Sequence, residues 1–124
     1  MVYFVEQRFD SQELMARNMR DNVLLRQVHA LLEPVFGPRL RGIVLYGSEA
    51  RGDAGPDSDI DFLVLLEGSP KEPEDSRAVI HAIYPLVLEI GRPIHAEPVS
   101  IAEYEASAFP LYRSAKREGI ALIR

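Results

Sequence analysis

With 124 residues, of which 47% are hydrophobic and 27% charged, the chain has the composition of a folded domain with a modest core. Its net charge of −5 argues against direct nucleic-acid binding, which needs a basic surface, and the absence of cysteine excludes disulfides, thiolate zinc sites and cysteine nucleophiles. The first ten residues lack the pattern of a secretory signal, and no apolar run approaches the ~20 residues that cross a bilayer. We therefore expect a cytoplasmic protein without membrane contact.

The N-terminal third is predicted to be mainly helical. Residues Val2–Val5 fit a short strand or a frayed end. Asp10 followed by Glu13 has the spacing of a capping box, which predicts a helix start. Pro34 disfavours helical geometry at Glu33, so we expect the helix to end there. Helical spacing is shown by the apolar residues Leu24, Val28, Leu31, Leu32 and Val35.

Two apolar runs, separated by a loop rich in glycine and aspartate, predict two strands. After a connector at residues 36–42, Ile43–Tyr46 is apolar at every position, which is typical of a strand covered on both faces. The run Asp59–Leu66 starts with an alternating pattern. Because side chains alternate along a strand, one face should carry Asp59, Asp61, Leu63 and Leu65.

The second half of the chain alternates helices and strands. After a loop at Glu67–Asp75, helical spacing predicts a helix that is kinked at Pro85 and ends at Gly91. Pro93–Val99 is predicted to be a third strand. Three elements follow it: a short helix capped by Ser100 and Glu103, a helix at Phe109–Glu118 that ends at Gly119, and the extended tail IALIR. The order predicts an α/β (α+β) fold, a small sheet packed on helices.

Asp59 and Asp61 stand at the start of a strand that is otherwise apolar. Two residues apart, their carboxyl groups share one face, where two anions repel each other and gain nothing from burial. A hard divalent cation between them would make the arrangement favourable. Mg²⁺ prefers carboxylate oxygens together with water and substrate phosphate, and a pair of such ions supports phosphoryl transfer.

Gly47 and Ser48 directly follow the first predicted strand. Glycine lets the backbone approach an anion closely, and serine offers a hydroxyl and an amide. If Ser48–Arg51 begins a short helix, its free amides point at a phosphate, and Arg51 adds a charge-assisted donor. The pattern therefore indicates a loop that holds phosphates next to a strand that holds their metal.

The stretch GSEARGDAGPDSDIDFLV resembles the signature of the minimal (MNT-type) nucleotidyltransferases of the DNA polymerase β superfamily. The matching residues are Gly47, Ser48, Arg51, Asp59 and Asp61. The segments PIHAEPVSIAEYEAS and LYRSAKREGIALI also resemble the family, so the resemblance covers roughly residues 41–123. It implies a mixed sheet with helices mainly on one face, ATP or another nucleoside triphosphate as donor, and two Mg²⁺ ions.

The third strand departs from the family pattern. Members usually carry a third carboxylate there, near the position of His95. In this chain His95 and Glu97 share one face of the strand. Glu97 could supply the third carboxylate and so complete a metal set with Asp59 and Asp61, and His95 could serve as a neutral base or an orienting group. The sequence leaves both alternatives open, and also the alternative that neither takes part.

The resemblance implies one nucleotidyltransferase domain over residues 1–124, with a helical segment at 1–40 and the catalytic core at 41–124. Gly47, Ser48 and Arg51 would hold the β and γ phosphates. Chains of this kind are typically antitoxins of HEPN-domain proteins, and some transfer AMP to a tyrosine of that partner. We expect the same function here.

Two other functions remain open at this point. A module with a vestigial nucleotide site could neutralise its partner by contact alone. The departure from the family pattern at His95 favours this alternative. A nucleotidyltransferase for a small molecule is a third alternative, against which the lack of an acceptor domain in this sequence argues.

Overall fold

A computed structural model describes residues 11–123, with side chains described from Asn18 onward. The predicted features at Val2–Val5 and Asp10 lie outside these residues. A short 3-10 helix, Gly37–Arg39, connects the first helix to the first strand. In chain order the elements are α1 (Ser11–Phe36), β1 (Leu40–Tyr46), α2 (Gly47–Arg51), β2 (Ile60–Leu66), α3 (Glu74–Ile90), β3 (Ile94–Ser100), α4 (Ile101–Glu105), α5 (Pro110–Glu118) and β4 (Ile120–Ile123).

The four strands form one mixed sheet in the order β3-β2-β1-β4. β1 is antiparallel to both β2 and β4, whereas β2 is parallel to β3. Parallel neighbours need a crossover connection, and α3 provides it between β2 and β3. The predicted small mixed sheet is therefore confirmed.

The two long helices, α1 and α3, cover one face of the sheet. Their buried residues recur at helical spacing and pack on alternate residues of β1 and β2, as a helix on a sheet requires. The helices contribute Leu24, Leu25, Val28, Leu32, Phe36, Val79, Ile83 and Leu86, and the strands contribute Ile43, Leu45, Phe62, Val64 and Leu66. This cluster is the main hydrophobic core.

The short helices α4 and α5 lie over the opposite face. Their buried residues Ile101, Tyr104, Tyr112 and Ala115 pack on Val44, Leu63 and Leu65, with Val99 from β3. The predicted placement of helices mainly on one face is thus confirmed for the two long helices. The short helices leave one end of this second face, where Asp61 lies, partly exposed.

Several helices and strands begin or end at residues other than those predicted from the sequence. α1 continues past Glu33 and Pro34 to Phe36, because the burial of Phe36 in the core outweighs the local preference of the residue before proline. β1 begins at Leu40, three residues earlier than Ile43, and β2 begins at Ile60, directly after Asp59.

The C-terminal predictions are largely confirmed. α3 begins within the predicted loop, contains Pro85 and ends at Ile90 with Gly91 as its C-cap. Ser100 accepts a hydrogen bond from the amide of Glu103 as the predicted cap of α4. The predicted extended tail is β4, which pairs with β1. Within residues 11–123 no helix has both the length and the apolar character that crossing a bilayer requires.

A half-buried ion pair joins the beginning of β1 to the beginning of α3. Arg39 donates through both terminal nitrogens to the carboxylate of Asp75, at 3.3 and 2.7 Å. The amide of Lys71 donates to the same carboxylate at 2.7 Å. The hydrogen bonds from Arg39 hold the pKa of Asp75 below its usual value.

Replacing Asp75 by asparagine should destabilise the protein in a pH-dependent way. Because the pKa of Asp75 is lowered in the folded state, the pair stabilises fully above the unfolded pKa of about 3.9, and the stabilisation is lost as pH falls through the folded pKa. In urea denaturation at pH 7, Asp75→Asn should lower the free energy of unfolding by about 1–3 kcal/mol, and by clearly less near pH 3.

The control is Glu67→Gln, which removes the negative charge from the exposed ion pair between Arg41 and Glu67. Exposed pairs contribute little, so this variant should unfold like the wild type at both pH values. An equal effect of Asp75→Asn at both pH values would contradict the assigned role of the charge.

Candidate active site

Tyr46, Asp61 and His95 form one row across three neighbouring strands. Tyr46 is paired with Asp61 in the β1–β2 register, and Asp61 is paired with His95 in the β2–β3 register. Paired residues of neighbouring strands point to the same face, here the face of α4 and α5. The row lies at the end of the sheet where β1 ends and β2 and β3 begin. His95 Nδ1 is 3.7 Å from Asp61 Oδ1.

Gly47 turns the chain from β1 into α2 directly against Asp61. Its φ of +75° lies in the left-handed region, where residues with a side chain are strained. A Cβ atom added to Gly47 would lie 2.7 Å from Asp61 Oδ2, closer than such atoms approach each other. Only glycine therefore allows both this turn and this position of the Asp61 carboxylate.

Ser48 lies in the first turn of α2, as the sequence predicted, and the helix ends at Gly52 in the left-handed conformation. Arg51 is in the last turn and is held by two carboxylates. Its Nε is 3.3 Å from Asp53 Oδ2, and its Nη1 is 3.3 Å from Glu118 Oε2. Arg51 also acts on Asp61, whose pKa it lowers through its positive charge. Of the predicted phosphate-holding residues, Gly47 thus lies against Asp61 and Arg51 is close enough for its charge to act on it.

The electrostatics of Asp61 are unfavourable for a free carboxylate. Burial raises the pKa of Asp61, the nearby His95 lowers it, and the negative charge of Asp59 raises it further. Together with the small opposing effect of Arg51, the balance leaves the pKa above its ordinary value. A half-buried carboxylate next to a second one is stabilised by a cation, and carboxylate oxygens are the donors that Mg²⁺ prefers. Asp59 and Asp61 therefore fit a divalent ion.

Glu97 lies two residues farther along β3 than His95 and is paired with Leu63 of β2. The side chains of His95 and Glu97 are both exposed. The charge of Glu97 reaches this face, because it contributes to raising the pKa of Tyr46 and of Tyr112. Among the residues with described side chains, no three histidine, aspartate or glutamate residues lie close enough to hold one ion. The three-carboxylate set of Asp59, Asp61 and Glu97 is thus not assembled, and the role of Glu97 stays a prediction.

Tyr46 is a residue of the site that the sequence analysis did not single out. Burial raises its pKa to about 12, and the charges of Asp61 and Glu97 add to the effect. At physiological pH its hydroxyl therefore keeps its proton, close enough to Asp61 and Glu97 for their charges to act on it. The available signal was its position as the last residue of an apolar strand, directly before Gly47.

The comparisons with known proteins agree with this geometry. A sequence model of the nucleotidyltransferase domain family matches residues 36–120. No curated protein sequence matches the chain significantly.

Solved structures with the same fold include toxin–antitoxin assemblies. One is the crystal structure of a toxin–antitoxin with AMP-PNP, with 19% identity, 77% of this chain and 69% of that chain covered, and a TM-score of 0.54. Another is a mutant of the toxin–antitoxin MntA–HpeT in which a tyrosine is replaced by alanine, with 20% identity, 78% and 69% coverage, and a TM-score of 0.53.

A third is an MntA–HpeT mutant in which two aspartates, two positions apart, are replaced by glutamate, with 18% identity, 77% and 69% coverage, and a TM-score of 0.55. At this level of identity the likeness shows the fold, which is that of the polymerase β-like nucleotidyltransferases. Because the family model takes in more than half of the chain, including Gly47, Ser48 and both aspartates, the chain belongs to the nucleotidyltransferase domain family and is a nucleotidyltransferase.

Proposed function

We propose that this nucleotidyltransferase transfers AMP from ATP to a hydroxyl group of a partner protein, as the antitoxin of a HEPN-domain toxin. The observation that carries the proposal is the placement of the Asp61 carboxylate, against the backbone of Gly47 and beside Asp59 and His95. The carboxylate proposed to bind metal therefore lies next to the turn that precedes Ser48. A triphosphate and its cation would then occupy adjacent positions.

In the proposed reaction, the acceptor oxygen forms a bond to the α-phosphorus of ATP, the bond from that phosphorus to the bridging oxygen breaks, and pyrophosphate leaves. Two Mg²⁺ ions, when bound, supply charge neutralisation of the triphosphate and lower the pKa of the acceptor hydroxyl. Asp59 and Asp61 would hold them, with Glu97 on the acceptor side. The positions of these groups, more than any covalent step, would account for catalysis.

The remaining residues would bind and orient. The absence of a side chain at Gly47 lets a phosphate approach the backbone, and Ser48 offers its hydroxyl and amide to the β and γ phosphates. Arg51 would exchange one of its carboxylate partners, Asp53 or Glu118, for a phosphate oxygen. His95, 3.7 Å from Asp61, would orient that carboxylate or accept the proton of the acceptor hydroxyl.

The antitoxin role is supported by the similar structures. Toxin–antitoxin assemblies share the fold, and one of them was solved with AMP-PNP, an ATP analogue. In another, the replaced aspartates are spaced like Asp59 and Asp61. A HEPN-domain partner and a tyrosine acceptor follow from the sequence resemblance and belong to the proposal.

A second candidate function is neutralisation of the partner by contact alone. Two observations favour it: the third carboxylate is not assembled with Asp59 and Asp61, and Arg51 is already paired with Asp53 and Glu118. In that case transfer of a nucleotide to the partner would not be required for its neutralisation.

Co-expression with the protein of the neighbouring reading frame as the proposed toxin, followed by labelled-ATP incorporation, separates the two functions. We expect Mg²⁺-dependent transfer of label from α-labelled ATP to the toxin, and a loss of about 100-fold or more in Asp61→Asn, because this carboxylate is placed to hold the metal. No label on a toxin that is nevertheless neutralised, by the wild type and by Asp61→Asn alike, would select the contact mechanism.

Gly47→Ala should abolish Mg-ATP binding, because the added methyl group displaces the Asp61 carboxylate. Gly68→Ala is the matched control. Gly68 has a similar φ of +77°, but nothing lies within 4 Å of an added Cβ atom. Both variants should lose about 1–3 kcal/mol of stability from backbone strain, and only Gly47→Ala should lose ATP binding in calorimetry. Equal ATP binding by the two variants would contradict the assigned contact.

Glu97→Gln and His95→Ala test the third group. If Glu97 serves the acceptor-side metal, Glu97→Gln should lower transfer at least about tenfold and change Mg-ATP binding little, because an acceptor-side group matters most in the transition state. A loss of transfer in His95→Ala, with full activity in Glu97→Gln, would instead assign the role to the histidine.

A further inference from the structure

The segment that carries Asp59 is tied to the residues just before β3. The Nε atom of Arg92 donates to the carbonyl oxygen of Ser58 at 3.1 Å. Two residues after Ser58, the amide of Ile60 donates to the carbonyl oxygen of Pro93, the residue after Arg92, at 2.9 Å. Asp59 lies between these two hydrogen bonds. Its backbone is therefore held on both sides, although its side chain is exposed.

The same arginine reaches α2. Its Nη2 atom lies 2.8 Å from Oε1 of Glu49, the residue after Ser48. The side chains of Arg92 and Glu49 are only 19% and 13% exposed, so this ion pair is poorly screened by water. One guanidinium thus links the short helix that contains Ser48 to the backbone that precedes Asp59.

The groove around Arg92 and Glu49 makes the loss of this ion pair unfavourable. Arg92 and Glu49 line a groove of about 520 Å³ whose other walls are mainly apolar, among them Leu24, Ile60 and Ile90. Arg20 and Gln27 also line this groove, but it is Arg92 that lies 2.8 Å from Glu49, so removal of Arg92 would break a largely buried ion pair, which is unfavourable. The planar guanidinium places Nε against Ser58 and Nη2 against Glu49 at the same time, whereas the ammonium group of a lysine is a single point of charge.

We propose that Arg92 is a positioning residue that sets the distance between the phosphate-holding turn at Ser48 and the metal-binding Asp59. Arg92 does not itself touch the nucleotide; it acts through the backbone of Ser58 and the side chain of Glu49. The inference rests on the proposed function, in which Ser48 and Asp59 meet the same Mg-nucleotide. It assigns a role in the site to an arginine that lies outside the Gly-Ser and Asp-x-Asp motifs.

The test is the Mg²⁺ concentration that gives half-maximal binding of a fluorescent ATP analogue. In Arg92→Met it should rise by about 10- to 100-fold, as is typical when a group that orients a metal ligand is lost. The Mg²⁺ concentration that Arg92→Lys requires should lie between those of the wild type and Arg92→Met, because lysine can keep the contact with Glu49 or the contact with Ser58 but not both. If Arg92→Met does not fold, the comparison of Arg92→Lys and Glu49→Gln with the wild type takes its place, and both should show a raised Mg²⁺ requirement.

Arg39→Met is the matched control for stability. It breaks the arginine–carboxylate pair with Asp75, which is also partly buried and lies at the opposite end of β1. This variant should lower the melting temperature and leave the Mg²⁺ requirement of analogue binding unchanged. A similar shift in Arg39→Met and Arg92→Met would show that Arg92 acts only through general stability, and would overturn the proposal.

Asp59→Asn separates a failure of this inference from a failure of the proposed function. If Asp59→Asn raises the Mg²⁺ requirement while Arg92→Met and Arg92→Lys bind the analogue like the wild type, Arg92 has no positioning role and the proposed site stands. If Asp59→Asn and Asp61→Asn both bind the analogue like the wild type, the proposed function itself is wrong.

Discussion

The antiparallel pairing of β1 with β2 is the constraint on which the site depends. Its register sets Tyr46 opposite Asp61, so that the chain leaves β1 at the level of the carboxylate. The turn must then pass directly against Asp61, and the 2.7 Å that would separate Oδ2 from a Cβ atom added to Gly47 shows how little space remains. A shift of one residue would turn Asp61 toward the long helices, because side chains alternate between the two faces of a strand.

The charges of the site are only partly balanced in the free protein. Burial and the charge of Asp59 both raise the pKa of Asp61, and His95 and Arg51 compensate only in part. A structure optimised for stability alone would place an apolar residue at such a position. Tyr46 shows the same excess of negative charge, because burial and the charges of Asp61 and Glu97 keep the proton on its hydroxyl. This arrangement becomes favourable when a cation is bound, which is the basis of the proposed reaction.

Two arginine–carboxylate pairs hold the sheet and its connections in place at opposite ends. Arg39 joins the start of β1 to α3 through Asp75, at the end remote from the site. Arg92 joins α2 to the segment before β2 through Glu49 and Ser58. Both pairs link elements that are far apart in sequence, and both are partly shielded from water. They therefore restrict motions that the hydrophobic core, which is not directional, does not restrict by itself.

The sequence by itself determined the order of the elements, the faces of β2 and the motif at Gly47, Ser48, Asp59 and Asp61, because these follow from local periodicity and from residue chemistry. It also placed His95 and Glu97 on one face of β3, which the pairing with β2 bears out. Local rules failed where burial competes with them, as at Pro34, after which α1 continues so that Phe36 can pack in the core. Only the tertiary structure decided that β4 lies beside β1, that Tyr46 faces Asp61, and that Arg92 bridges Glu49 and Ser58. Each of these contacts joins residues that are distant in the chain. Strand register and side-chain packing bring them together, and local sequence patterns do not report either.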